Sequence, residues 1–287
     1  MTDWLVGPFV EFGFLRRALA GCLAISAGAP ALGVFLVLRR MSLMSEAISH
    51  AVLPGVAIGF LVAGLSVPAM AFGGLVAGLA VALAAGAVAR RTALKEDASL
   101  AGFYLVSLAA GVTIVSLRGS NVDLLHVLFG SVLALDDEAL ILLGATATVT
   151  VVWLALAYRA LVIDCVDPLF LRLSGRSGPT IHLSFLAVAV LNLVAAFQAL
   201  GTLLAVGLMI LPAVAARFWA RDLPALIAVA TGFAVLASVA GLLASYHLGL
   251  PSGPAIVLAA GAIYGVSLAG GTAGGLARRA RPRSGRA

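Results

Sequence analysis

The sequence predicts an all-α fold, a single polytopic transmembrane helical bundle with about 8–9 spans. Hydrophobic residues make up 62% of the chain and charged residues only 10%, whereas soluble domains carry about 25% charged residues. Apolar tracts of about 20 residues recur along the chain, which is the length that a helix needs to cross a bilayer. The alternating pattern of about ten residues that marks a membrane β-barrel strand is absent from the sequence.

Nine apolar tracts are candidates for the spans, and short polar segments separate them. They fall at 16–38, 43–64, 67–89, 98–117, 139–160, 181–200, 201–219, 223–245 and 250–270. The region 181–219 is nearly continuous across Gly201, so one long broken helix is an alternative that reduces the count to eight. A further short re-entrant or interfacial helix is predicted at 120–135. The 32 glycines of the chain favour close approach of the helices.

The tracts belong to one domain. Residues 1–13 are predicted to be an interfacial N-terminal segment, 14–270 the transmembrane domain, and 271–287 a basic cytoplasmic tail. The longest predicted loop, 161–180, is too short to form a second domain. The sequence has no Walker motif, no GxGxxG before a helix and no nucleophile elbow. We therefore expect a protein that is not an enzyme, and any energy from ATP must come from a separate ATPase.

The basic residues predict the orientation of the bundle. They cluster in alternate loops and in the tail: Arg39, Arg40, Arg90, Arg91, Lys95, Arg159, Arg172, Arg176, Arg217, Arg221, Arg278, Arg279, Arg281, Arg283 and Arg286. By the positive-inside rule these loops and the C-terminus are cytoplasmic. Arg16 and Arg17 are the exception, since nine spans place them outside. Because the positive charge lies at span ends, the net charge of +6 does not indicate nucleic-acid binding.

Glu46 and His50 are the principal candidate site. They are four residues apart at the start of the second apolar tract, so both project from one face of a helix. A charged residue within a span costs about 2.5–3.5 kcal/mol unless it faces protein or water. We expect a buried acid–imidazole pair that binds a metal, because imidazole and carboxylate suit zinc and also manganese. The structural alternative is a hydrogen-bonded pair that holds two helices together.

The residues after this pair suggest a pathway or hinge. Ser49 either contributes an oxygen ligand or caps the neighbouring turn. Pro54 removes a backbone donor, and Gly55 removes a side chain, so the helix is expected to break there. Irregular backbone within a membrane usually lines a cavity, and the alternative at this Pro-Gly pair is a packing kink.

Asp123 and His126 are secondary metal candidates, three residues apart in a predicted external segment. A plain interfacial role is the alternative. The acidic cluster Asp136, Asp137 and Glu138 either attracts cations or begins a solvated helix.

The run SLMSEAISHAVLPG at residues 42–55 resembles the signature of ABC-3 permeases. These are the membrane subunits of zinc and manganese ABC importers, and their usual pattern is close to S-L-x-G-D-A-x-S-H-A-V-L-P-G. The chain departs from that pattern in two places: Ser45 stands where Gly is usual, and Glu46 where Asp is usual. The second change keeps the carboxylate but lengthens it by one methylene.

Two further stretches carry the resemblance, which covers most of residues 14–270. The run 201–216 is similar to the family's G-T-L-L … L-x-P-A-x-x-A segment. The run 164–175 resembles the family's segment that docks into a groove on the ATPase. The resemblance assigns this coupling role to four residues: Asp167, Leu169, Phe170 and Gly175. An ordinary capped loop is the alternative.

The resemblance implies the permease of a binding-protein-dependent importer of a divalent transition metal, located in the bacterial inner membrane. Its implied partners are a cytoplasmic ABC ATPase, an extracytoplasmic metal-binding protein and a second permease copy. Glu46 and His50 from two copies supply two oxygens and two nitrogens, which favours zinc, while manganese and iron stay open. No cofactor is expected to be permanently bound. The alternative function is a secondary, proton-coupled metal transporter in which Glu46 and His50 relay protons.

Overall fold

The computed structural model describes residues 2–64, 66–94, 96–117, 132–167 and 178–276, and these residues form helices without any β-strand. The helices are α1 (Thr2–Glu11), α2 (Gly13–Leu38), α3 (Met44–Ala51), α4 (Leu53–Ala63), α5 (Val67–Arg91), α6 (Glu96–Leu117), α7 (Asp137–Val166), α8 (Gly178–Leu200), α9 (Thr202–Ala216), α10 (Leu223–Leu248) and α11 (Ser252–Gly270). The predicted all-α fold is therefore confirmed. A short 3₁₀ turn, Val132–Ala134, precedes α7.

Within the described ranges, eight helical segments are long and apolar enough to cross a membrane. Helices α3 and α4 together make one of them, Met44–Ala63. Helix α9 has 15 residues, a length of about 22 Å, which is shorter than a hydrocarbon core of about 30 Å. Gly201 separates α8 from α9 with φ 92, so this region contains two helices. Among the described residues there are thus eight helical segments of membrane length and one shorter apolar helix, and the region 181–219 forms two helices and not one long broken helix.

The helices differ in how far protein surrounds them. In α2 and in Thr180–Leu200 of α8, 72% of the most apolar window is buried, against 17% in α6 and 22% in α11. Close approach rests on small residues: a Cβ at Gly33 of α2 would lie 1.8 Å from the Met209 carbonyl oxygen of α9. Helices α2 and α8 are therefore the inner helices, and α6 and α11 face the surroundings.

Two contacts show which helix ends lie together on one side of the bundle. The Arg39 side chain at the end of α2 pairs with Asp164 near the end of α7. The Ala273 amide after α11 donates to the Phe218 carbonyl after α9, at 2.7 Å. We call this side of the bundle the basic end, since the link between α2 and α3 carries Arg39 and Arg40. Its cytoplasmic orientation remains a prediction.

The opposite side is the acidic end. Arg17 at the start of α2 lies 3.2 Å from Asp137 at the start of α7. The ring of Phe12, between α1 and α2, lies 5.6 Å from the ring of Tyr246 near the end of α10. Helix α1 is thus a separate short helix at this end, in the segment that the sequence assigns to the interface.

Helix α7 is longer than its predicted tract. It continues through Val166 rather than ending near residue 160, so Asp164 is helical and does not begin a loop. The physical reason is that the Asp164 carboxylate has a partner in Arg39, which allows a polar residue to continue the helix at this depth. Residues 120–131 of the predicted re-entrant segment and residues 277–287 of the tail lie outside the described residues.

Candidate metal site at the start of helix α3

Glu46 and His50 lie on one face of α3, as their spacing predicts. Nε2 of His50 is 3.1 Å from Oε1 of Glu46, and the two side chains are 40% and 59% exposed, respectively. The expectation that the pair is buried is wrong for the single chain. The reason is that the neighbouring residues Ala47, Ile48 and Ser49 bury the other side of α3, which turns the acid and the imidazole outward.

The helix breaks directly after the pair. Helix α3 ends at Ala51 and α4 begins at Leu53, with Pro54 in its first turn. Proline has no amide hydrogen to donate to the carbonyl of His50, and its ring crowds that turn. The Ser107 hydroxyl of α6 donates to the Ala51 carbonyl at 2.7 Å. A side chain from a neighbouring helix therefore satisfies backbone that the break exposes.

Gly55 is a point of contact between two helices. A Cβ added to it would lie 1.9 Å from the carbonyl oxygen of Gly73 in α5. Ser49, which the sequence places in the pathway, is 3% exposed, and its hydroxyl donates to the Ser45 carbonyl at 2.9 Å. In this structure Gly55 packs α4 on α5, and Ser49 turns away from the acid–imidazole pair.

A small cavity adjoins Glu46 at the basic end. Its volume is about 200 Å³, and its lining includes Glu46 and Ala47 of α3 with Asp97 and Tyr104 of α6. The His50 and Tyr104 rings have centroids 6.4 Å apart. Asp97 and Tyr104 were missed by sequence reasoning. The charge pattern gave a usable signal, because it places the loop before Asp97 on the same side of the membrane as the loop before Glu46.

The pair does not form a complete metal site within one chain. Among the described residues, no group of three or more His, Cys, Asp or Glu side chains could hold a metal ion. Glu46 and His50 supply one oxygen-bearing and one nitrogen-bearing group, so water or a second chain must complete the coordination. The half-exposed position of both side chains leaves room for that completion.

A larger cavity lies beyond the helix break. It has a volume of about 620 Å³ between α4 and α5, and Ser107 is the one polar side chain in its described lining. Val62 and Phe72 in that lining are 82% and 70% exposed. This apolar surface offers no charged ligand for a cation.

The remaining predicted residues are placed as follows. Asp167 is the residue that follows α7, and its amide donates to the Ile163 carbonyl at 2.8 Å. Leu169, Phe170 and Gly175 of the predicted coupling segment lie outside the described residues, as do Asp123 and His126.

Comparison with known proteins gives a consistent result. A family profile described as the ABC 3 transport family matches residues 11–271. The chain is 34% identical over 268 residues to the manganese import system permease protein ScaB of Streptococcus parasanguinis, covering 93% of this chain and 94% of that one. It is 29% identical to a probable iron transport system membrane protein of Haemophilus influenzae, covering 94% and 97%. A solved structure, PsaBC from Streptococcus pneumoniae in complex with Fab, superposes with TM-score 0.82 at 31% identity, covering 95% of this chain and 97% of that one.

Proposed function

Because this chain belongs to the ABC 3 transport family, we propose that it carries manganese or iron, ahead of zinc, across the cell membrane. It is the membrane-embedded permease of an ABC metal importer and is not itself an enzyme. The observation that carries the proposal is the pair of Glu46 and His50, whose side chains lie 3.1 Å apart and point away from the helix bundle at the start of a membrane-length helix. The ion is the transported substrate, and this pair would bind it during its passage.

The choice of metal differs from the expectation drawn from the sequence. That expectation favoured zinc, whereas the relatives carry manganese and iron names. The surroundings of the pair support the same change, because the cavity beside Glu46 also presents Asp97 and Tyr104. Carboxylate and other oxygen donors suit manganese better than a nitrogen-rich or sulfur-rich site does. Zinc therefore takes third place in the proposal.

The pair is proposed to act with its counterpart in a second copy of the chain. One chain offers two ligand groups, and no larger cluster of ligand side chains occurs among its described residues. Two copies facing each other would provide two carboxylates and two imidazoles. The negative charge of the carboxylates would offset the charge of the cation, and the imidazole nitrogens would fix its position.

The hydrogen bond within the pair would hold the ligands ready in the empty protein. Oε1 of Glu46 and Nε2 of His50 are 3.1 Å apart, so an arriving cation displaces this contact and takes both atoms as ligands. Such a site has few protein ligands, which suits a transient stop in transport because the ion must also leave. The break after Ala51 would let α3 move separately from α4 during transport.

The other subunits are proposed from the family. A cytoplasmic ABC ATPase would supply the energy, and it would dock at residues Asp167, Leu169, Phe170 and Gly175. An extracytoplasmic metal-binding protein would deliver the ion at the acidic end. The C-terminus would then lie in the cytoplasm, together with the basic end.

Uptake by the intact complex tests the proposed function. The chain is expressed with an ABC ATPase subunit, purified as a complex and placed in proteoliposomes with the metal-binding protein. We expect ATP-dependent uptake of manganese or iron, with zinc carried more slowly. Uptake driven by a proton gradient without ATP would contradict the proposal, and so would a clear preference for zinc.

A further inference from the structure

The most buried ion pair among the described residues lies at the basic end and involves Arg39. The sequence pattern identifies this residue only as a marker of orientation. Nη2 of Arg39 is 2.7 Å from Oδ2 of Asp164, and the two side chains are only 8% and 15% exposed. Nη1 lies 3.3 Å from Nδ1 of His182. The guanidinium carbon lies 4.5 Å from the centre of the Phe185 ring. We call Arg39, Asp164, His182 and Phe185 the Arg39 clamp.

The Arg39 clamp joins three helices through a single side chain. Arg39 caps α2, Asp164 lies in the last turn of α7, and His182 and Phe185 lie in the first two turns of α8. A planar guanidinium can point two nitrogens at two partners and still stack on a ring, whereas a lysine ammonium cannot. The geometry therefore depends on arginine and not only on positive charge.

The Arg39 clamp flanks the segment that is proposed to meet the ATPase. Asp164 lies on α7 before Asp167, the first of the four proposed docking residues, and His182 lies on α8 after Gly175, the last of them. Both ends of the connection between α7 and α8 are thus held by one residue of α2. A displacement of this connection has a direct mechanical route to Arg39.

The same residue also adjoins the helix of the metal pair. Arg39 is followed by a short link in which Arg40 has φ 61. Met41 donates its amide to the Leu36 carbonyl at 2.8 Å, and Met44 donates to the Met41 carbonyl at 3.0 Å. The side chains of Met41 and Met44 are buried, at 6% and 2% exposure. This link is anchored at both ends, so movement of Arg39 is passed to the first turn of α3.

A role in stability alone does not account for this arrangement. Removing two charges from water costs about as much as their attraction returns, so a buried ion pair adds little net stability over apolar residues of similar size. Nε and Nη2 of Arg39 are both buried and make no hydrogen bond among the described residues, so Nη2 and the Asp164 carboxylate are held by charge at 2.7 Å without hydrogen-bond geometry. Buried pairs of this kind are best attested where they fix register or switch between arrangements.

We propose that Arg39 is a positioning residue that couples the connection between α7 and α8 to helix α3. Movement of that connection by the ATPase shifts the Arg39 clamp, and the clamp shifts Glu46 and His50. The proposal rests on the proposed function, since it requires an ATPase at that connection. It adds a residue that is neither a member of the metal pair nor one of the four proposed docking residues.

The test measures manganese taken up per ATP hydrolysed by the permease–ATPase complex in proteoliposomes. The main variant is Arg39→Met with Asp164→Leu, which removes both charges of the pair together, so that neither is left without the other. The matched control is Asn192→Leu with Thr150→Val, because this buried, hydrogen-bonded polar pair joins α8 and α7 farther along both helices from the Arg39 clamp.

We expect the main variant to reach the membrane, bind the ATPase and hydrolyse ATP, while uptake per ATP falls by about tenfold or more. The control should stay within about twofold of the parent, because the hydrogen bond that it removes involves neither Arg39 nor α3. Parental uptake per ATP in the main variant would overturn the proposal, as would an equal fall in the control.

Arg39→Lys decides the question if the main variant does not accumulate in the membrane. Because lysine keeps the charge but lacks the planar guanidinium with its two terminal nitrogens, uptake per ATP should fall by about threefold or more, and uptake per ATP equal to that of the parent would overturn the proposal. The parent complex separates this test from that of the proposed function. If the parent neither binds an ATPase nor takes up manganese, the proposed function fails. If the parent does both and the Arg39 variants couple uptake to ATP as the parent does, only the proposed role of Arg39 is refuted.

Discussion

Replacing Gly55 with alanine is expected to destabilise the protein, because two helix backbones touch at this position. The added Cβ would lie 1.9 Å from the Gly73 carbonyl oxygen, 2.5 Å from the Gly73 carbonyl carbon and 2.7 Å from the Cβ of Ala77. A carbon atom normally approaches a carbonyl oxygen no closer than about 3.3 Å. Helices α4 and α5 must therefore separate by more than about 1 Å.

The size of the effect follows from that separation. Overpacking of a tight interior costs about 1–3 kcal/mol, and the upper half of this range applies because the clash is with rigid backbone and not with a side chain that can rotate. For a chain of this size each kcal/mol lowers the unfolding temperature by about 2–4 °C. We expect the unfolding temperature of Gly55→Ala to fall by roughly 5–10 °C.

Thermal unfolding in detergent can be followed through a native thiol. Cys22 is fully buried, so a fluorogenic maleimide reacts with it only as the bundle opens. The half-buried Cys165 is replaced by serine in every variant to remove its background reaction. Gly232→Ala is the matched control, because a Cβ there meets nothing within 4 Å.

The control should be unchanged or slightly stabilised, since alanine favours a helix over glycine by up to about 1 kcal/mol. An unfolding temperature for Gly55→Ala equal to that of the parent would refute the reasoning. It would mean that α4 and α5 are farther apart at this crossing than the structure shows.

Three further substitutions test the helix break, the ATPase docking position and the metal preference. Ser107→Ala removes the hydroxyl that donates a hydrogen bond to the Ala51 carbonyl. We expect the free energy of unfolding to fall by about 0.5–1.5 kcal/mol, seen as a lower unfolding temperature in the same thermal assay, and an unchanged unfolding temperature would contradict this. Phe170→Asp should reduce copurification of the ATPase by placing a charge in an apolar contact, and an undiminished yield with normal transport would count against that docking position. Glu46→Asp should retain substantial uptake with a changed ratio of manganese to zinc, and an identical ratio would show that the reach of the carboxylate does not set the preference.

Much of the fold could be predicted from the sequence, because membrane spans are set mainly by the length of apolar tracts. The tract 223–245 corresponds to Leu223–Leu248, and 250–270 corresponds to Ser252–Gly270. The count of spans could not be settled in the same way. It depends on the backbone of Gly201, whose positive φ ends one helix and begins another, and hydropathy does not record that angle.

The candidate site could be predicted less completely. The one-turn spacing of Glu46 and His50 is a local property, and the structure places both on one face of α3. Their exposure depends on what packs against that face, which the spacing does not contain. Asp97 and Tyr104 come from α6, about fifty residues later in the chain, so only tertiary structure brings them to Glu46.

The Arg39 clamp shows the same limit. Hydropathy marks Arg39 as the end of a span, and an arginine at that place has a sufficient explanation in membrane topology. The predicted span 139–160 leaves its partner Asp164 outside the membrane helices, in the predicted loop 161–180. Only the packing of α2 against α7 shows that these two polar residues satisfy each other and prolong α7 to Val166.

Glu46 and His50 are proposed to bind the transported metal, and the initial rate of manganese uptake by His50→Ala is the sharpest test of that role. Parent and variant are compared at equal abundance in the membrane, with His247→Ala at the acidic end as the matched control. Removing a metal ligand should lower the rate by about tenfold or more, while the control should keep the parental rate. A parental rate in His50→Ala would contradict the claim: the acid–imidazole pair would then be structural, and the site should be sought first at Asp123 and His126.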